Sequence, residues 1–143
     1  MTVGAAHQAL LLWATRRMAA DGFVVAAFDG CARQAGTWNA LPKPFALRGR
    51  RPDAFGINAD GILAFCEAKT GKDLMSPRTR EQFAIFGRLR IKGSSARCPL
   101  YVAVPREDAT LLDEALSAAG VIGARNVFRL HVPEVLLRGR HAA

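Results

Sequence analysis

The sequence predicts an α/β fold in which a mixed central sheet is flanked by helices. The chain has 143 residues, the size of one compact domain, and half of them are apolar, which is enough for a buried core. Short apolar runs typical of strands alternate with stretches of helical spacing. Their order along the chain is αβββαβ, followed by an added C-terminal αβ. We therefore expect residues 1–143 to form a single domain.

The first third of the chain predicts a helix, a strand and a long loop. Residues 7–20 contain no Gly or Pro and repeat apolar residues at helical spacing, and Asp21-Gly22 is typical of a helix end. The apolar run 23–28 predicts a strand. Residues 29–51 predict a loop, and its length indicates a functional or structural role.

A hairpin, two helices and two strands are predicted in the remainder. Segments 53–57 and 62–69 flank the turn signal Asn58-Ala59-Asp60-Gly61, so we expect an antiparallel hairpin. Helices are expected over 78–89, after Pro77, and over 107–119. Strands are expected over 100–104, where Pro105 follows, and over 126–132.

The charge balance favours a polyanionic partner. The chain has 20 Lys and Arg against 12 Asp and Glu, for a net charge of +8 and a sequence pI of 10.4. The alternative is that the charge only maintains solubility.

Other parts of the composition argue against several classes of protein. Three cysteines without a C-x-x-C pair indicate neither a disulfide framework nor a zinc cluster. No apolar run approaches the roughly 20 residues that span a bilayer, so we expect a cytoplasmic protein without a membrane partner.

Three residues on the predicted hairpin could support metal-assisted phosphodiester cleavage. This chemistry needs carboxylates for a divalent cation and a group that activates water or neutralises developing charge. Glu67 and Lys69 lie two apart on one strand and so share a face, with Ala68 on the other. Asp53 would lie near Glu67 across the hairpin if the register is right, and two such carboxylates repel without a cation.

The motif Pro52-Asp53, a spacer over residues 54–66, and Glu67-Ala68-Lys69 resembles the PD-(D/E)XK nuclease superfamily. The resemblance covers about residues 7–104 and implies a restriction endonuclease-like core. Gln82 matches a glutamine that resolvase-like branches carry facing the active site. The resemblance thus implies Asp53, Glu67, Lys69 and Gln82 as catalytic residues. It also implies Mg²⁺, replaceable by Mn²⁺, held by Asp53, Glu67 and the Ala68 carbonyl.

One feature departs from the superfamily pattern. Several branches add an acidic metal ligand from the first helix, but residues 1–20 contain no Asp or Glu. His7 or Gln8 fills that place, or no residue does, and one-metal chemistry is the simpler expectation.

Basic residues on both sides of the motif are suited to phosphate contacts. Surface solvation is the alternative role for each of them. The predicted nucleic-acid-binding residues are Arg48, Arg50, Arg51, Lys72, Arg78 and Arg80, and Arg88, Arg90 and Lys92 follow the motif as well.

We therefore expect a magnesium-dependent endodeoxyribonuclease that hydrolyses DNA phosphodiester bonds with Holliday-junction resolvase-like selectivity for DNA structure. A catalytically silent nucleic-acid-binding module of the same fold is the main alternative, and a basic adaptor in a nucleoprotein assembly is another. A homodimer and a separate targeting protein both stay open as ways of choosing the substrate.

Overall fold

The computed structural model describes residues 4–138, which form a five-stranded sheet with helices on both faces. The helices are α1 (Ala5–Ala20), α2 (Gly71–Leu74), α3 (Pro77–Arg88), α4 (Ala109–Ala118) and α5 (Glu134–Arg138). The strands are β1 (Val24–Phe28), β2 (Ala54–Ile57), β3 (Leu63–Ala68), β4 (Leu100–Pro105) and β5 (Val127–Val132). The predicted mixed sheet flanked by helices is confirmed.

The sheet has the strand order β1-β2-β3-β4-β5. Strands β1 to β3 form an antiparallel meander, whereas β3, β4 and β5 are parallel because helices connect them. In the β2–β3 turn, the Asn58 side-chain oxygen accepts hydrogen bonds from the N–H groups of Asp60 and Ile62. The predicted hairpin is confirmed, with Ala54 opposite Cys66.

Side chains of β3 alternate between two hydrophobic cores. Ala64, Cys66 and Ala68 face the core that α1 covers, whereas Phe65 faces the core that α3 and α4 cover. Glu67 follows Phe65 at the strand period of two, so it enters the α3 side. This alternation places Glu67 and Ala68 on opposite faces of the sheet, as predicted.

Several element boundaries were predicted wrongly. Strand β2 begins at Ala54 and β3 ends at Ala68, so Asp53 and Lys69 lie just beyond the strand ends. The predicted loop 29–51 contains a 3₁₀ segment, Arg33–Ala40, interrupted at Gly36. Helices α2 and α5 were not predicted, because four or five residues are too few to show a helical period. Helix α4 starts at Ala109, after a 3₁₀ turn over Arg106–Asp108.

The single-domain interpretation of residues 1–143 stays a prediction, and residues 1–3 and 139–143 lie outside the described part of the chain. Among the helices described, none has both the length and the apolar character that a membrane span requires.

Candidate active site

The start of β2 and the end of β3 bring two carboxylates together. The Asp53 N–H donates to the Cys66 carbonyl at 3.0 Å, which continues the hairpin pairing beyond Ala54. The same N–H lies 3.2 Å from Glu67 Oε2. Asp53 Oδ2 accepts a hydrogen bond from the Ala68 N–H at 2.8 Å. The hairpin register is therefore the one that places Asp53 beside Glu67.

Lys69 and Gln82 complete this cluster on the α3 side of the sheet. The Lys69 Nζ donates to the Gln82 side-chain oxygen and lies 3.6 Å from Glu67 Oε1. The Gln82 amide nitrogen donates to the Arg51 carbonyl at 3.4 Å, which ties α3 to the segment before β2. Both Lys69 and Gln82 are buried. The four residues predicted as catalytic thus lie together.

Glu67 has an unusual electrostatic environment. Its side chain is fully buried, and Oε1 has no hydrogen-bond partner because Lys69 Nζ is beyond hydrogen-bonding distance. Burial raises the pKa of Glu67 well above its usual value, and the negative charge of Asp53 raises it further, although Lys69 opposes both effects. A buried carboxylate oxygen without a hydrogen bond, beside a second carboxylate, favours a bound cation. The donor set therefore fits a divalent metal.

A polar cleft of about 420 Å³ opens over the cluster. It is lined by His7, Asp29, Arg51, Pro52, Asp53, Ala68, Lys69, Asp73, Ser76, Arg78, Thr79 and Gln82. Glu67 lies below this lining, so a ligand in the cleft would meet Asp53, Ala68 and Lys69 first.

His7 is the residue of the first helix that reaches the site. Its Nε2 lies 3.5 Å from Asp53 Oδ2, and its Nδ1 is buried without a hydrogen-bond partner. The hydrogen bond with Asp53 raises the pKa of His7, against the opposing effect of burial. Gln8 instead accepts a hydrogen bond from the Cys31 N–H at 2.8 Å and so holds the loop after β1. Of the two residues left open by the sequence, His7 adjoins Asp53.

In residues 4–138, no group of three or more His, Cys, Asp or Glu side chains is arranged around one metal position. His7 therefore contacts Asp53 without completing a three-side-chain ligand set. The ligand set that the resemblance implies, Asp53, Glu67 and the Ala68 carbonyl, stays a prediction.

Sequence reasoning missed two acidic residues of the cleft, Asp29 and Asp73. Asp29 directly follows β1, and its N–H donates to the Asp53 carbonyl at 2.8 Å. Its place after a strand adjacent to β2 was a usable signal. Asp73 lies on α2, which was not predicted, so nothing in the local pattern indicated it.

The six basic residues predicted to bind nucleic acid do not form one surface. Arg51 and Arg78 line the cleft, whereas Lys72 and Arg80 are exposed on α2 and α3. Arg50 Nε lies 3.1 Å from Glu81 Oε1, so a carboxylate already neutralises much of its charge. Arg48 lines a separate groove. The loop fold thus places Arg50 and Arg48 outside the cleft, and nucleic-acid binding by the six residues stays a prediction.

No family model matches this sequence, and no curated protein matches it. A solved structure described as a repair endonuclease from Pyrococcus abyssi aligns with 93% of this chain and 48% of its own chain. The sequence identity is 14% and the TM-score is 0.43. The chain thus spans about half the length of that structure, and similarity at this level establishes neither the fold family nor the activity of the chain.

Proposed function

We propose that this chain is a metal-dependent nuclease of the PD-(D/E)XK type that hydrolyses DNA phosphodiester bonds. The observation that carries the proposal is the convergence of Asp53 and Lys69 on the buried carboxylate of Glu67, whose Oε1 has no hydrogen-bond partner. An ordinary ion pair would be solvent-exposed and would need no second carboxylate.

Asp53, Glu67 and the Ala68 carbonyl would hold the metal, with Mg²⁺ as the expected ion and Mn²⁺ as a substitute. When bound, such an ion neutralises charge on the phosphate and lowers the pKa of a bound water. The Ala68 N–H donates to Asp53 Oδ2 and the His7 imidazole lies 3.5 Å from the same oxygen, so both contacts orient Asp53 for this role.

Lys69 supplies the fixed positive charge beside the reacting phosphate. Gln82 holds its Nζ in place, so the charge is oriented before substrate binds. Arg51 and Arg78 line the cleft and are suited to the phosphates on either side of the scissile bond. Gln82 is accordingly a positioning residue for Lys69.

Selectivity for branched DNA, as in Holliday-junction resolvases, is the finer part of the proposal. It rests on the resemblance at Gln82 and on the contact between Gln82 and Lys69. The substrate's form is therefore the main variable of the test.

The test is a cleavage panel of linear, nicked, branched and single-stranded DNA with Mg²⁺, Mn²⁺ or a chelator. The control variants are Glu67→Gln, which removes the buried carboxylate, and Glu114→Gln, which removes an exposed one on α4. We expect metal-dependent cleavage that Glu67→Gln abolishes and Glu114→Gln preserves. Tight DNA binding without cleavage in any condition would favour the silent binding module instead.

A further inference from the structure

A second basic feature lies outside the cleft, in a groove between the loop before β2 and helix α3. Its volume is about 500 Å³, and it is lined by Arg48, Ala84, Ile85, Arg88, Leu89 and Arg90. The lining thus contains three guanidinium groups and three apolar side chains. Within residues 4–138, no ion pair joins these three arginines to a carboxylate, although the neighbouring Arg50 is paired with Glu81. The groove therefore keeps its positive charge.

Arg48 is presented to this groove by a tight and unusual turn. The N–H of Leu47 donates to the Arg50 carbonyl at 2.7 Å, and the N–H of Arg50 donates back to the Leu47 carbonyl at 3.0 Å. The two residues between them have positive φ, 51° at Arg48 and 82° at Gly49, as in a type I′ turn. Asn or Gly usually fills the first of these positions, and Arg48 is the single non-glycine residue with positive φ in the described chain.

The turn is held in place from both sides. Arg50 pairs with Glu81 on α3, and the Phe45 ring packs against Phe55 of β2 with centroids 4.8 Å apart. The Arg48 backbone is therefore fixed in an unfavourable conformation by its surroundings. Conformations of this kind are found preferentially at functional sites.

The groove and the cleft share no lining residue, but two segments of the chain run from one to the other. Arg51 lines the cleft three residues after Arg48, and α3 carries Gln82 in the cleft and Arg88 in the groove. Six residues of helix separate Gln82 from Arg88, which is about 9 Å along the axis. A strand held in the cleft would reach the groove within a few nucleotides.

We propose that the groove of Arg48, Arg88 and Arg90 binds the sugar–phosphate backbone of the DNA that occupies the cleft, on one side of the scissile bond. Arginine forms paired hydrogen bonds to phosphate oxygens, and the apolar side chains of the groove suit contact with the sugars. This inference rests on the proposed nuclease function, since it assigns the groove to the same substrate.

The test combines two substitutions that should both weaken DNA binding, and the first of them should also raise thermal stability. Arg48→Asn creates the residue pair that a type I′ turn prefers, so the melting temperature should rise by a few degrees. DNA affinity in chelator should fall roughly tenfold near 0.1 M salt, and the slope of log K against log salt should decrease by about one. Arg90→Gln should reduce affinity and slope similarly. We leave Arg88 intact because it donates to the Gly120 carbonyl at 3.5 Å.

Arg16→Gln is the matched control, since Arg16 is an exposed arginine on α1, on the opposite face of the sheet. It should leave affinity and salt slope close to those of the parent. The single-turnover cleavage rate of Arg16→Gln should also stay close to that of the parent, because Asp53, Glu67 and Lys69 are untouched. Parent-like affinity and slope in Arg48→Asn and Arg90→Gln would overturn the groove assignment while leaving the proposed function intact. A parent that neither binds nor cuts DNA would overturn both.

Discussion

Glu67 lies fully buried on β3, on a strand face that Phe65 otherwise shares with the core under α3. A carboxylate there loses its hydration, and one of its oxygens gains no hydrogen bond in return. The stability of the metal-free fold would be greater with a neutral side chain at this position. A destabilising residue directly beneath a polar cleft is typical of a functional site.

Glu67→Gln should therefore stabilise the metal-free protein at neutral pH. The direction follows from the raised pKa, because a group that is harder to ionise in the folded state destabilises that state while it is ionised. Because the pKa of Glu67 is raised, its destabilising effect grows as pH rises from the usual glutamate range through the raised pKa. The gain should thus shrink in acid, where Glu67 is protonated.

The measurement is chemical denaturation in chelator at neutral and at acid pH, beside Glu114→Gln, an exposed site that should change stability little. A Glu67→Gln variant less stable than the parent at neutral pH would show that the buried charge is compensated.

Substitutions of Asp53 and of Lys69 should affect metal affinity and cleavage differently. Asp53→Ala removes a metal ligand, so metal affinity and cleavage should be lost together while DNA binding persists. Lys69→Ala keeps both carboxylates and removes a positive charge 3.6 Å from Glu67 Oε1. It should bind Mg²⁺ at least as tightly as the parent, yet cleave more slowly by a factor of about 100 or more. Calorimetry with Mg²⁺ and single-turnover cleavage separate the two effects. Near-parental cleavage by Lys69→Ala would remove Lys69 from the catalytic residues.

At the scale of elements, the site depends on where α3 begins. The Ser76 hydroxyl oxygen accepts a hydrogen bond from the Thr79 N–H at 3.1 Å and caps the helix, and Pro77 occupies its first turn. The Thr79 hydroxyl donates to the Asp73 carbonyl, which joins α2 to α3. These contacts fix where α3 begins and therefore the position of Gln82 relative to Lys69.

Ser76→Ala should lower the free energy of unfolding by about 1 kcal/mol, because it leaves the Thr79 N–H without its cap. Urea denaturation measures the change, with Ser117→Ala on the exposed face of α4 as the control. The control should shift stability by no more than about 0.5 kcal/mol. Equal effects of the two substitutions would mean that solvent replaces the cap without cost.

For the whole molecule, charge and shape are distributed unevenly. The net charge is +8, and the cleft and the groove together contain Arg48, Arg51, Arg78, Arg88 and Arg90. Both features lie along α3, so the basic surface follows one side of the sheet. Phosphate neutralisation over such a surface releases counterions.

DNA affinity should accordingly fall steeply with salt. With four to six phosphate contacts, we expect a slope of log K against log salt of roughly −4 to −5 on duplex DNA. Fluorescence anisotropy in chelator, from low to moderate salt, measures it. A flat dependence would indicate that the arginines are only solvated surface charge.

The element types were predictable because the local pattern specifies them. Strand alternation predicted Glu67 and Lys69 on one side, and the turn signal at Asn58 predicted the hairpin, whereas the register that brings Asp53 to Glu67 was decided by the structure. Helices α2 and α5 were not predictable, since a segment of one turn has no period to detect. Asp73 was missed for that reason.

The sequence by itself determined the α/β class and the hairpin, because both depend on local spacing and strand period. Asp53, Glu67 and Lys69 were predicted from that hairpin and Gln82 from the resemblance, and their roles stay predictions. Only the tertiary structure decided which basic residues share a surface. Arg48, Arg50 and Arg51 are neighbours in sequence, yet one lines the groove, one pairs with Glu81 and one lines the cleft. The contact of His7, rather than Gln8, with Asp53 was decided in the same way, since both lie on α1 and only packing determines which one meets Asp53. Long-range packing sets these contacts, and a local pattern carries no information about it.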